Sequence, residues 1–117
     1  MIRMTREQWI AAGKSRYGAD RMQWWFRCPS CGHIATPQDY RAAGAPATAV
    51  GFSCVGRWSG AASEAFSDAD GPCNYAGGGL FRINPILVTD GAQEFSMFDF
   101  AEPLLERMRG AAEEPTR

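Results

Sequence analysis

Four cysteines restrict this chain more than any other feature. Cys28 and Cys31 lie two residues apart in the run Phe26-Arg27-Cys28-Pro29-Ser30-Cys31-Gly32-His33, and the remaining two are Cys54 and Cys73. A proline between the first two thiols and a glycine just after them give the run the form of a metal knuckle. Zn²⁺ takes four thiolates, or three and an imidazole, at the corners of a tetrahedron. One such site closed by Cys28, Cys31, Cys54 and Cys73 ties the middle of the chain into a single body around a structural zinc ion. The distal pair is separated by eighteen residues, so it reads as an expanded second half-site. Three alternatives stand beside this reading: three cysteines with His33, cysteines that stay reduced or form disulfides, and another metal such as iron. His33, the sole histidine, follows Cys31 by two residues and reads as a neighbour of the site or a surface residue before it reads as a ligand.

A chain of 117 residues with 21% charged side chains fits one soluble globular domain, expected over residues 1–109, with 110–117 as a disordered tail. No apolar run approaches the ~20 residues that span a bilayer. The segment Met1 to Gln8 lacks an apolar core, so no secretion signal is expected. The expected compartment is a reducing cytoplasm, where clustered cysteines bind metal more often than they pair. Formal net charge is -1, which argues against strong non-specific nucleic-acid binding, yet the charge is uneven. Residues 1–60 carry eight Lys/Arg against three Asp/Glu, and residues 61–117 carry four against ten. The halves either attract each other or offer a basic contact face on the N-terminal side.

Local signals place the elements. Thr5 and Gln8 form a capping box, with Met4 and Trp9 positioned as a staple, so a helix starts there. Trp9, Ile10, Gly13 and Tyr17 share one face, Lys14 and Arg16 suit the last turn, and Gly18 stops it. Met22 to Arg27 alternates as a strand entering the knuckle, with Trp24 and Phe26 inward and Trp25 between Gln23 and Arg27 on the polar face. Thr36, Pro37 and Asp39 open a two-turn helix that Gly44 ends. Val50 to Val55 reads as a second strand delivering Cys54.

Gly56 to Pro72 has no periodicity and reads as a surface excursion anchored by Trp58 and Phe66, or as a functional loop. Asn74 to Gly79 is a glycine-rich turn without the Lys-Ser/Thr of a phosphate loop. Leu80 to Val88 and Gln93 to Phe100 read as strands of a hairpin turned at Asp90-Gly91, with Pro85 marking a bulge or an edge. The second strand changes phase between Met97 and Phe98. Pro103 can open a short helix over Leu104 to Arg109.

The chemistry-bearing patterns are few. Four cysteines leave a zinc ion no open position for catalysis. No His-x-Glu precedes a Pro-Cys-x-x-Cys, so the deaminase pattern fails. No Ser/His/Asp triad or nucleotide fingerprint is present. Redox work by Cys28 and Cys31 would require a thioredoxin-like βαβ setting, which is missing.

Three blocks, Trp25 to His33, Phe52 to Arg57 and Gly71 to Phe81, together resemble a family of small uncharacterised zinc-ribbon-like proteins encoded mainly by bacteriophages and prophages. The resemblance covers roughly residues 24–100. It implies a phage setting, the cytoplasm of a bacterial host and a structural role for the four cysteines, and it transfers no activity.

The expected fold is therefore α+β: a zinc-ribbon-like antiparallel sheet, an N-terminal helix packed on it, one short helix and a C-terminal β-hairpin. The leading function is a non-enzymatic interaction module that binds and modulates a host or anti-phage defence protein, with Trp25, Arg27, Arg57 and Trp58 as contact candidates. Nucleic-acid binding through the basic, aromatic N-terminal half is the second reading, and a small-molecule or thiol enzyme the third.

Overall fold

The computed structural model describes residues 1–102. The expected helix over Leu104 to Arg109 and the tail 110–117 lie outside the described residues. The class is α+β, built on two small three-stranded sheets. The first contains β1 (Ile2–Thr5), β4 (Ile86–Asp90) and β5 (Gln93–Met97) in the order β1-β4-β5. β1 runs parallel to β4 with Ile2 opposite Ile86, and β4 pairs antiparallel with β5. The second contains β2 (Phe26–Arg27), β3 (Ile34–Ala35) and β6 (Asp99–Phe100), with β2 central and antiparallel to both neighbours.

The helix α1 (Arg6–Tyr17) starts where its caps dictate. The Gln8 N–H donates to Thr5 Oγ1 at 3.1 Å, and the Thr5 N–H donates back to Gln8 Oε1 at 2.9 Å. Gly18, with φ +86, ends it by donating its N–H to Lys14 O. The same capping box opens α2 (Pro37–Ala42) at Thr36 and Asp39, with Pro37 in the first turn. α1 lies over β1 and β4. Its inner face carries Trp9, whose ring stands edge-on to Trp24 at 5.4 Å and stacks near Phe26 and Phe100 at 6.3 and 6.0 Å. Gly13 is the contact point, since a methyl group there would run into the Trp24 ring. Trp24 and Phe100 are fully buried. At roughly 150–250 Å² each, such aromatics contribute about 4–6 kcal/mol apiece as an upper bound.

Four expectations are corrected. Met22 to Arg27 is not one strand: a 3₁₀ turn at Arg21–Gln23, capped by Asp20, precedes the two-residue β2, although the burial of Trp24 and Phe26 follows the expected alternation. Val50 to Val55 forms no strand. A 3₁₀ turn at Ala47–Ala49 and Gly51 at φ +65 lead instead into α3 (Gly56–Ser59). The backbone there is satisfied singly, by Phe98 N–H donating to Gly51 O, Tyr40 Oη donating to Ser53 O and Cys54 N–H donating to Tyr75 O. Leu80 to Pro85 is also not strand, and β4 begins only after Pro85, whose carbonyl accepts the Ile2 N–H. The sheets are not wholly antiparallel, because β1 adds a parallel strand that the lead-in to α1 disguises.

The hairpin is as expected, with Gly91 at φ +62 in its two-residue loop. The phase change also falls at Phe98, where β5 ends and β6 begins.

Candidate metal centre

Three separate segments bring the thiols together. Cys28 follows β2, and the knuckle returns the chain into β3. The Gly32 N–H donates to Cys28 O and the Cys28 N–H donates to His33 O, both at 2.9 Å, which closes the turn. Cys54 precedes α3. Cys73 follows the Gly71–Pro72 peptide, which is cis. The long segment between them is laced to this point by Ala62 N–H donating to Pro72 O at 2.8 Å and by a bridge between Ser63 and Cys73.

The sulfurs meet at Cys28–Cys73 3.9 Å and Cys31–Cys54 3.8 Å, and all four lie within 4.8 Å of one another. A disulfide needs about 2.05 Å, so these are not bonded pairs. Zn–S bonds of about 2.3 Å in a regular tetrahedron place the sulfurs about 3.8 Å apart, which is the spacing of these two pairs. The four cysteines are thus positioned to hold one metal ion, and His33 is not among the clustered ligand atoms. Cys28, Cys54 and Cys73 are buried and Cys31 is half-buried, so the cage is shut on most sides.

Backbone amides favour the thiolate form at the centre. Cys31 Sγ accepts the N–H of His33 at 3.4 Å, and Cys73 Sγ accepts that of Tyr75 at 3.3 Å. Backbone amides of Cys31 and Ser30 favour the thiolate of Cys28, and those of Gly56 and Cys73 favour that of Cys54. Cys31 and Cys73 thus each accept from the amide two residues further on. Such amides stabilise thiolate charge and orient the ligand. His33 serves the site through its main chain. The individual thiols differ without metal. Contact with Cys54, then burial, pushes the Cys28 thiol up, while the same contact brings Cys54 down to about 5, and burial raises Cys73 to about 11.

Two glycines that sequence reasoning passed over make this convergence geometrically feasible. A methyl group at Gly71 would strike Cys31 Sγ, and one at Gly56 would strike the Cys73 backbone. Their signal in the sequence is proximity alone: each stands two residues from a ligand cysteine.

The contact candidates fall on two elements. Trp25 and Arg27 are exposed beside β2, and the Arg27 guanidinium donates to Gly32 O and Ala101 O at 3.5 and 3.3 Å. On α3, Arg57 is exposed and donates to Asn74 O at 3.2 Å, with its guanidinium 5.8 Å from the Trp58 ring centre. Trp58 is half-buried against the smaller core cluster of Ala35, Tyr40, Ala49 and Val55. Among the described residues no helix is long and apolar enough to cross a membrane.

No curated protein and no solved structure matches this chain significantly. A protein-family model described as VVA0879-like matches residues 5–101, nearly the whole described structure with its four cysteines, and the chain belongs to that family.

Proposed function

We propose that this chain is a zinc-stabilised, non-enzymatic interaction module. In this reading it is a phage-encoded, zinc-ribbon-like factor that works in the cytoplasm of a bacterial host by binding and modulating a host or anti-phage defence protein. One observation carries it: four thiols, three of them buried, converge within 4.8 Å of one another, and backbone amides of His33 and Tyr75 already donate to two of them. A centre saturated by four cysteines offers no coordination position to a substrate, so its contribution is to shape the surface around it. The knuckle between β2 and β3 supports the zinc-ribbon likeness. The phage setting rests on the three sequence blocks alone.

Elemental analysis of reduced, purified protein tests the foundation, with one zinc ion per chain expected. Capture from a nuclease-treated bacterial lysate tests the function. The metal-loaded chain is expected to retain a discrete host polypeptide, and the chelated chain is not. Affinity for duplex DNA that falls steeply between low and moderate salt would instead favour the nucleic-acid reading, for which the exposed pair Trp25 and Arg27 supplies the aromatic and cationic groups.

A further inference from the structure

The first sheet ends on an open edge with a groove beside it. β5 is the last strand in the order β1-β4-β5. Its two-residue loop makes Asp90 and Gln93 a hydrogen-bonded pair, and the pairs Val88–Phe95 and Ile86–Met97 repeat that arrangement at every second residue. Glu94 and Ser96 therefore turn their N–H and C=O groups away from β4. Further along, the edge is closed by Asn84 Nδ2 donating to Ser96 O at 3.4 Å and by Phe98 N–H donating to Gly51 O at 2.6 Å. Among the described residues nothing bonds to the Glu94 N–H, the Glu94 C=O or the Ser96 N–H. A groove of about 540 Å³ lies beside these groups, touched by residues 94–97 and completed by Leu87, Thr48, Phe52 and Arg82. Successive strand residues point to opposite faces, so a hollow that touches four in a row follows the strand's side.

Two more observations mark this place. Phe95, opposite the buried Val88, leaves 46% of its surface in solvent. Asn84 is 3% exposed, and its amide donates to Phe52 O and Ser96 O, both on residues of the groove wall, at 3.2 and 3.4 Å. Its Oδ1 has no donor among the described residues. A buried acceptor without a donor costs stability until one arrives. Charge does not choose the occupant. Arg82 and Glu94 are the charged residues of the lining and oppose each other in sign; Arg82 donates to Gly79 O and Gly78 O, and the Glu94 carboxylate pairs with Arg3 at 3.4 Å. The backbone does choose it. Free N–H and C=O groups at strand spacing are complemented by another extended polypeptide, whose side chains then alternate between the two faces. We infer that this groove is the docking site for an extended segment of a partner protein, which joins the sheet beside β5, pairs its backbone with Glu94 and lays an apolar side chain on Phe95. The inference deepens the interaction-module reading and rests on it. None of the contact candidates Trp25, Arg27, Arg57 and Trp58 lines the groove. A second copy of this chain fits less well. Antiparallel pairing of two β5 edges sets Glu94 against the same residue of the other copy, like charge on like charge, or against Ser96, whose C=O already accepts from Asn84.

The experiment selects peptides from a random dodecapeptide library against immobilised, zinc-loaded full-length protein and follows amide exchange by NMR with and without them. The Glu94 amide is expected to exchange freely in the free chain and to slow about tenfold or more when a selected peptide saturates the protein. Glu94→Pro removes the N–H at an edge position that tolerates proline, and is expected to weaken the peptide about tenfold or more; Glu94→Gln keeps the backbone and is expected to bind as the parent does. Both variants are checked for zinc content and melting temperature. Peptides methylated in turn at each backbone nitrogen repeat the test on the unaltered protein, with one or more positions expected to lose affinity by a similar factor. The inference is overturned if no peptide is recovered, if bound peptide leaves Glu94 exchange unchanged, if folded Glu94→Pro binds as well as the parent, or if Glu94→Gln loses as much as Glu94→Pro. It is equally overturned if the Glu94 amide is already protected in the free chain, by a second copy seen as a dimer in sedimentation or by residues 103–117, whose removal then exposes it. Protection of Glu94 by duplex DNA in the peptide's place also overturns it. All of these results leave the module reading standing as long as zinc is bound; a parent chain that takes up no zinc removes that reading itself.

Discussion

On one side of the molecule, α1 and the β4–β5 hairpin carry their own instructions. A capping box starts the helix, a glycine stops it, and a tight turn with Gly91 sets the register of the hairpin. On the other side, around the thiols, regular structure is nearly absent. β2 and β3 are two residues each, α3 is a single turn, and most of residues 60–85 is loop. The first region is ordered by ladders and aromatic packing. The second is ordered by convergence of side chains and backbone on one small volume. A short, Gly-rich segment loses much conformational entropy on ordering and buries little apolar area to offset it. A bound ion can supply that difference, because its affinity for the assembled site is folding free energy.

Removing the ion should therefore separate the two regions most sharply. Chelation, or Cys73→Ser, is expected to abolish binding that in small zinc peptides is worth about 10–16 kcal/mol at neutral pH. Hydrogen exchange should then show residues 54–81 unprotected while the amides of α1 and β4 retain part of their protection. Uniform retention of protection in the loop would erase the contrast between the regions. The loading reaction also has a pH sign. In the metal-free cage, contact between thiols and burial hold Cys28 up, and burial holds Cys73 up. Zn²⁺ binds thiolates, so uptake displaces thiol protons, strengthens as pH rises and fails on acidification. Calorimetry in buffers of different ionisation enthalpy measures the number released.

Phe100→Ala attacks the aromatic packing that joins α1 to β2 and β6. It removes a buried ring that contacts Trp9, Trp24 and Phe26, at an expected cost of about 3–5 kcal/mol in denaturant unfolding. The folded fraction should still bind zinc stoichiometrically.

A matched pair of glycine substitutions sharpens the contrast. Gly71→Ala presses on Cys31 Sγ and is expected to weaken zinc affinity by about 10–100-fold in a competition titration, the range seen when groups that orient a ligand are disturbed. Gly13→Ala presses on Trp24 and is expected to cost about 1–3 kcal/mol of stability with zinc affinity unchanged. The smallest effect belongs to Thr5→Ala, which should cost about 1 kcal/mol through the lost cap, read as a small drop in melting temperature.

The legibility of the sequence follows the same division. The capping box at Thr5, the Thr36 cap, the Gly18 stop, the hairpin at Gly91 and the inward set Trp24 and Phe26 could be read directly, because each is decided by residues within a few positions of one another. The metal cluster was legible as a set of residue types and illegible as a geometry. Nothing in the spacing of Cys54 and Cys73 says that glycines at 56 and 71 must admit them. Val50 to Val55 misled because a mostly buried apolar run has the composition of a strand, whereas its backbone bonds singly to the Tyr40 hydroxyl and to distant loops, and Ser53 Oγ accepts the Gly77 N–H. Leu80 and Phe81 misled in the opposite sense, as apolar residues that stay in solvent.

By itself, then, the amino-acid sequence determined the helix starts, the hairpin turn and the inventory of four thiols, since caps, turns and ligand chemistry are local properties. Tertiary structure alone decided that Ile2 lies beside Ile86, that sulfurs up to 45 positions apart share one cage, and that Phe66 faces outward. Pairings over such separations depend on which distant backbones approach without collision. That is set by the whole packed chain, and here it turns on the bare hydrogen of a glycine at 71 and another at 56.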